Sequence, residues 1–207
     1  MQAQEPRRSR VCLFGGTFDP IHCAHLKIAE EALSRFDLDR ILFIPAGSPP
    51  HKGTLTPYED RFRMVEIACE PYPAFEASRL EEGGRRSYTI DTVRRFKETQ
   101  DSPIDVYFLI GADAFDEIET WKDWQDLLGE IEFLVVTRPG KAYRIPAGAR
   151  VKRLEGLALP VSSSAVRQRL AAGEPTPELA QAVRAFIEAR GLYRFRQLRE
   201  TATTALP

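Results

Sequence analysis

Short runs rich in β-branched and aromatic residues alternate with longer stretches of helical period, and this alternation limits the fold more than any other feature of the chain. The predicted strands are Val11 to Phe14, Arg40 to Pro45, Ala74 to Ser78, Asp105 to Ile110, Glu132 to Thr137 and Arg150 to Leu154. Between them the spacing predicts helices over Ile21 to Phe36, Tyr58 to Glu70 and Thr89 to Lys97. In the first, Ile21, Leu26, Ala29, Ala32 and Leu33 form an apolar stripe opposite Lys27, Glu30, Glu31 and Arg35. Two further helices, Ser163 to Ala172 and Pro177 to Arg190, follow without intervening strands, the second closed by Gly191. The pattern is that of an α/β, Rossmann-like, doubly wound parallel sheet with helices on both faces and a small C-terminal helical segment. Residues 1–195 read as one domain, with the C-terminal helices from about residue 162 and a flexible polar tail over 196–207.

Composition narrows the partners. Of 207 residues, 29 are Lys or Arg and 30 are Asp or Glu, and a net charge of -1 creates no field to hold a long nucleic acid or an anionic membrane. The apolar runs, such as Ile41 to Ala46 and Val106 to Ile110, fall far short of the ~18 residues that cross a bilayer. Val11 to Phe14 is too short for a signal peptide's apolar core, so a cytoplasmic protein is expected. Cys12, Cys23 and Cys69 lack disulfide or zinc spacing; Cys12 and Cys69 read as small buried residues. Oligomeric state is not legible.

Ligands of such a sheet bind beyond the carboxyl ends of its strands, where the strand order reverses, and the distinctive motifs do follow strands. After the first comes Gly15-Gly16-Thr17-Phe18-Asp19-Pro20-Ile21-His22-Cys23-Ala24-His25-Leu26. The glycines let the backbone turn and approach a ligand without a Cβ in the way. Asp19 is placed to cap the next helix, with Pro20 at its first position. His22 and His25, three apart near that helix start, share one face close to free N–H groups that attract phosphate. Taken alone, a His-x-x-His pair is as well explained by a solvated face or half a metal site; the glycines and Asp-Pro around it favour an anion cradle. Neither G-x-x-x-x-G-K-[ST] nor G-x-G-x-x-G is present, which disfavours a P-loop kinase or a dinucleotide dehydrogenase.

The stretch from Gly15 to Leu26 resembles the GGTFDPxHxGHL signature of the HxGH nucleotidyltransferases, in particular the bacterial nicotinate-nucleotide adenylyltransferase family, with Ala24 where that family has glycine. Four more segments are similar to family motifs: Pro49-Pro50-His51-Lys52, Ser87 to Thr92, Gly111-Ala112-Asp113 with Trp121, and Val161 to Arg167, where Ser164 replaces the usual threonine. The resemblance covers roughly residues 10 to 194 and includes Thr137 to Gly140 and the last helix. It implies that His22 and His25 contact ATP phosphates, and that His51 and Lys52 face substrate phosphates. It also implies that Thr89 lies by the nicotinate carboxylate, that Asp113 holds ribose hydroxyls and that Trp121 stacks on the pyridine ring. Outside that resemblance, Lys52 is a solvated loop cation, Thr89 a helix start, Asp113 a helix cap and Trp121 a core residue; Trp124 is read as core in any case. Ser164 keeps the hydroxyl needed for capping and a phosphate bond, and Arg167, one turn into its helix, can clamp β- and γ-phosphates with a planar fork.

The expected activity is transfer of AMP from ATP to the 5′-phosphate of nicotinate mononucleotide, with Mg²⁺ arriving on the nucleotide because no carboxylate cluster suggests a metal cage. His22, His25, Lys52 and Arg167 are the expected catalytic groups. Gly15, Gly16, Thr17, Phe18, Gly111, Asp113, Ser163 and Ser164 join the histidines and Arg167 around ATP, and Asp19, His51, Lys52, Thr89 and Trp121 serve the mononucleotide. Alternatives are a relative acting on nicotinamide mononucleotide or phosphopantetheine, or a nucleotide-binding regulator without chemistry.

Overall fold

The computed structural model describes residues 7–48, 56–83, 88–137, 140, 142–155 and 160–193. Six strands form one all-parallel sheet: β1 (Ser9–Gly16), β2 (Arg40–Pro45), β3 (Phe75–Ala77), β4 (Ile104–Gly111), β5 (Glu132–Thr137) and β6 (Val151–Glu155). Their order is β3-β2-β1-β4-β5-β6, so the chain winds outward from β1 in one direction and then from β4 in the other. Side chains alternate between two cores. Cys12, Ile41, Phe43, Tyr107, Leu109 and Leu134 point to one, and Val11, Leu13, Leu42, Phe108, Ile110 and Phe133 to the other. Strands apolar on both faces need helices on both faces.

The first core is covered by α1 (Cys23–Arg35), α2 (Tyr58–Cys69), α6 (Ser163–Ala172) and α7 (Gln181–Ala189), through residues such as Ala29, Met64, Val166 and Val183. The second is covered by α3 (Thr89–Glu98), α4 (Ala112–Asp116) and α5 (Trp124–Glu130), through Ile90, Val93, Phe115 and Leu127. Trp124 packs half-buried against this second core, and Cys12 and Cys69 are buried free thiols, as expected. Gly191 follows α7 at φ 62°, a left-handed position that suits glycine. Among the described residues no helix is long and apolar enough to cross a membrane.

The register at the middle of the sheet decides where a ligand can enter. β1 pairs with β4 only from Ser9↔Ile104 to Leu13↔Phe108. Beyond that level β1 stays with β2 as far as Gly16↔Pro45, while β4 stays with β5 as far as Gly111↔Val136. The sheet therefore splits at its carboxyl end, at the point where the winding reverses.

The glycines at the end of β1 belong to that split rather than to a turn: both lie within the strand, and neither has a positive φ. A Cβ on Gly15 would sit 3.4 Å from the Phe108 ring across the gap, and one on Gly16 only 2.8 Å from the ring of Phe18, which is itself buried and hemmed in by Phe14, Phe43 and His25. Gly16→Ala should thus destabilise the protein by roughly 1–3 kcal/mol through overpacking. Gly111→Ala, where an added Cβ meets nothing within 4 Å, should change stability by less than about 0.5 kcal/mol. Urea unfolding of both variants checks this, and equal losses would discount the Phe18 contact.

Candidate active site

A cleft of about 500 Å³ fills the split. Phe14, Gly15, Gly16 and Thr17 form one wall, and Phe108 to Gly111 the other. Tyr88 and Thr89, at the start of α3, and Trp121, after a 3₁₀ turn over Ile118–Thr120, close its far side. Of the predicted site residues, Gly15, Gly16, Thr17, Thr89, Gly111 and Trp121 therefore meet around one space. Trp121 turns its ring edge-on to Phe108 at 6.3 Å, which supports the indole from behind and leaves it half-buried. Lys122, not singled out by the motifs, also lines the cleft. Its ammonium lies 2.9 and 3.0 Å from the two Asp91 carboxylate oxygens and 5.0 Å from the Tyr88 ring centre.

The histidines occupy the adjoining helix start. His22 is the N-cap of α1 and His25 its third residue; their rings stack at 3.8 Å and 23°. The His22 N–H donates to Nδ1 of His25 at 3.2 Å, and the His25 N–H donates to the His22 carbonyl at 2.9 Å. The edge of Phe18 against His25, at 5.1 Å, fixes the pair from below. The cap expected at Asp19 is not formed. Asp19 is only 3% exposed and its carboxylate accepts the Tyr193 hydroxyl at 2.7 Å, while Pro20 precedes the helix and follows a cis peptide. A long-range partner has taken the carboxylate that local rules gave to the helix.

α6 braces the same start. The Arg167 guanidinium donates to the Asp19 carbonyl at 2.7 Å and to Ser164 Oγ at 3.3 Å, and Ser163 Oγ donates to the Pro20 carbonyl at 3.0 Å. A guanidinium carries five N–H groups, so two bonds do not exhaust it. The cap of α6 is Ser162, whose Oγ accepts the Ala165 N–H at 3.2 Å; the expected cap at Ser164 lies two residues too late, already inside the helix, and that hydroxyl serves Arg167 instead. Asp113 lies in the first turn of α4, whose N-cap is Gly111. His51 and Lys52 fall outside the described residues, as do Ser87 and residues 196–207.

Burial changes what the histidines can offer. His22, 5% exposed, has its pKa lowered to about 4, chiefly by desolvation, with the charge of Glu178 pulling the other way. His25 is pushed well below the ordinary histidine value by burial and then by His22. The expected cradle is therefore neutral at pH 7. It offers hydrogen bonds and a helix N-terminus, and Arg167 brings the formal charge.

A family model described as cytidylyltransferase-like matches residues 13–169. The "probable nicotinate-nucleotide adenylyltransferase" of Solibacter usitatus is 52% identical over 186 residues, covering 89% of this chain and 99% of that one. This chain belongs to the nicotinate-nucleotide adenylyltransferase family. A relative of the same name from Moorella thermoacetica is 41% identical and covers 91% and 93% of the two chains. Among solved structures, the nicotinic acid mononucleotide adenylyltransferase of Plasmodium falciparum complexed with NaAD shares the fold, with a TM-score of 0.76 at 20% identity over 92% of this chain and 100% of that one. The Rossmann-like doubly wound sheet read from the alternation of strands and helices is thus the family's fold.

The neutral histidines have a thermodynamic signature. Between pH about 6.5 and about 4 the unfolded chain binds protons that folded His22 refuses, so stability falls as the pH drops through that window. The loss assigned to His22 should be on the order of 2–3 kcal/mol. His22→Asn should remove it: urea midpoints for the variant should fall less between pH 7 and pH 4.5 than for wild type. Parallel curves would show that His22 does not titrate in this way.

Proposed function

We propose that the protein transfers AMP from ATP to the 5′-phosphate of nicotinate mononucleotide, forming nicotinate adenine dinucleotide and pyrophosphate. The observation that carries this reading is the split between β1 and β4, with Trp121 and Thr89 lining its cleft and the stacked His22 and His25 outside the lining, joined to it by the Phe14 ring 6.0 Å from that of His25. In this reading the histidine side takes the phosphates and the tryptophan side takes the base. The shared ancestry with nicotinate-nucleotide adenylyltransferases supports the same substrates.

In the reaction an oxygen of the mononucleotide phosphate bonds to the α-phosphorus of ATP, the bond from that phosphorus to the bridging oxygen breaks, and the electron pair leaves with pyrophosphate. The nucleophile is already anionic, so the protein's share is positioning and stabilisation of charge. His22 and His25 direct N–H groups at the phosphates, and Arg167 supplies a fixed cation on the departing side. Gly15 to Phe18 present backbone to ATP, with Gly111 and Asp113 opposite and Ser163 and Ser164 beside Arg167. Lys52 and His51 belong to the same proposal by their motif. Asp19 acts through its backbone, since its carboxylate is held by Tyr193.

Magnesium belongs to this proposal as an ion carried by the triphosphate, where it would neutralise the phosphate charge. Trp121 offers a face on which the pyridinium gains both stacking and cation–π attraction. We infer a cytoplasmic setting, where ATP and mononucleotides are available.

Pyrophosphate release with ATP, Mg²⁺ and each candidate acceptor tests the assignment. Nicotinate mononucleotide should give the highest kcat/KM; preference for nicotinamide mononucleotide or phosphopantetheine would replace the acceptor. His22→Asn should lower kcat by about a hundredfold or more with the fold intact, and near-normal turnover would remove His22 from the chemistry. Trp121→Ala should raise KM for the mononucleotide about tenfold, with little change in KM for ATP. Equal effects on the two substrates would contradict a stacking role.

A further inference from the structure

The last hydrogen bond of the β1–β2 ladder runs from the Ala46 N–H to the Gly16 carbonyl at 2.8 Å, and beyond it the two chains separate. A parallel pair that parts inside a protein leaves carbonyls facing inward, and each needs a donor. Arg61, from the first turn of α2, fills the fork. Its Nη1 donates to the Thr17 carbonyl at 2.8 Å, its Nη2 to the Ala46 carbonyl at 2.8 Å and its Nε to the Thr56 carbonyl at 3.2 Å. The residue is 1% exposed, among the largest fully buried side chains of the protein, and it forms no salt bridge among the described residues. A buried charge without a carboxylate in contact is costly unless dipoles converge on it. Here three carbonyls do so, and the field of Asp19 adds to them.

Thr17 and Ala46 both line the cleft. We propose that Arg61 is a positioning residue for the adenylyl-transfer site: its planar fork sets the separation of the chains leaving β1 and β2, and so the place of the Gly16–Thr17 backbone against the nucleotide. This rests on the reading of the cleft as the adenylyl-transfer site. Lysine cannot substitute, because an ammonium on a flexible stem lacks the in-plane pair of N–H groups that spans two carbonyls.

The test compares Arg61→Lys and Arg61→Ala with Val65→Ala, a change at a fully buried residue one turn further along the same helix whose side chain has no polar atom to bond the fork. All are assayed below their unfolding temperatures, with circular dichroism to establish the folded fraction. Arg61→Lys should lose about a hundredfold in kcat/KM, the scale for misplacing reacting groups by about 1 Å, whereas Val65→Ala should stay within about threefold of wild type. Millimolar guanidinium chloride should restore part of the activity of Arg61→Ala and leave Val65→Ala and His22→Asn unchanged.

Arg61 variants that match Val65→Ala in activity per folded molecule would overturn the proposal, as would folded Arg61→Ala that guanidinium does not revive. If Arg61→Ala does not fold, Arg61→Lys against Val65→Ala decides. A wild-type chain that makes no dinucleotide means that the activity reading has failed rather than this one. The same variants are then compared for ATP affinity by calorimetry, with the same order expected, and an unchanged affinity in Arg61→Lys counts against the proposal.

Discussion

The backbone between the end of β1 and the first turn of α1 depends on hydrogen bonds that its own neighbours do not make. The Thr17 carbonyl is met by Arg61, the Asp19 carbonyl by Arg167, the Pro20 carbonyl by Ser163 and the Cys23 N–H by the Glu178 carbonyl. Each bond contributes only about 1 kcal/mol net, but leaving such a buried group unmet costs about 1–3 kcal/mol. The loop that presents the histidines therefore has its shape only while α2, α6 and the segment between α6 and α7 are packed around it. The C-terminal helices thus shape the loop beside the cleft, although none of their residues lines it.

Electrostatics follows from that enclosure. Packing the rings of His22 and His25 against each other, and that of His25 against Phe18, removes water; His22 then resists protonation chiefly by desolvation, and His25 by desolvation and by the neighbouring His22. The site keeps formal positive charge on an arginine, which cannot lose it, and keeps directional N–H groups on histidines that carry none. Such a division limits repulsion within the empty site while retaining donors for an anion.

Much of this architecture was legible in the sequence. The strand over Arg40 to Pro45 and that over Glu132 to Thr137 have the bounds predicted, because central strands apolar on both faces stand out from the amphipathic helices between them. The motifs also located the cleft, through Gly15, Gly16, Thr89 and Trp121. What failed was local capping. Asp19 and Ser164 have the chemistry of caps, but Tyr193 and Arg167 claim them, and Tyr193 is 174 residues from Asp19 in sequence. Arg61 escaped notice for the same reason, since inside a helical pattern it reads as a solvated cation and only the three-dimensional fork reveals its partners. The state of the histidines was equally hidden, because burial is a property of the fold and not of the His-x-x-His spacing.

The hydroxyl of Tyr193 has a consequence for how the molecule is made. Among the described residues it is the last group, in chain order, bonded to the histidine-bearing loop, lying beyond six strands and seven α-helices. A chain leaving the ribosome can pair β1 with β2 and β4 with β5 long before that contact is available, since domains acquire structure as they emerge. The sheet is thus assembled early, and the neighbourhood of the two imidazoles is finished only when α7 and Tyr193 beyond it have emerged and docked. Competence to act therefore waits on a contact that can form only after the sheet is complete.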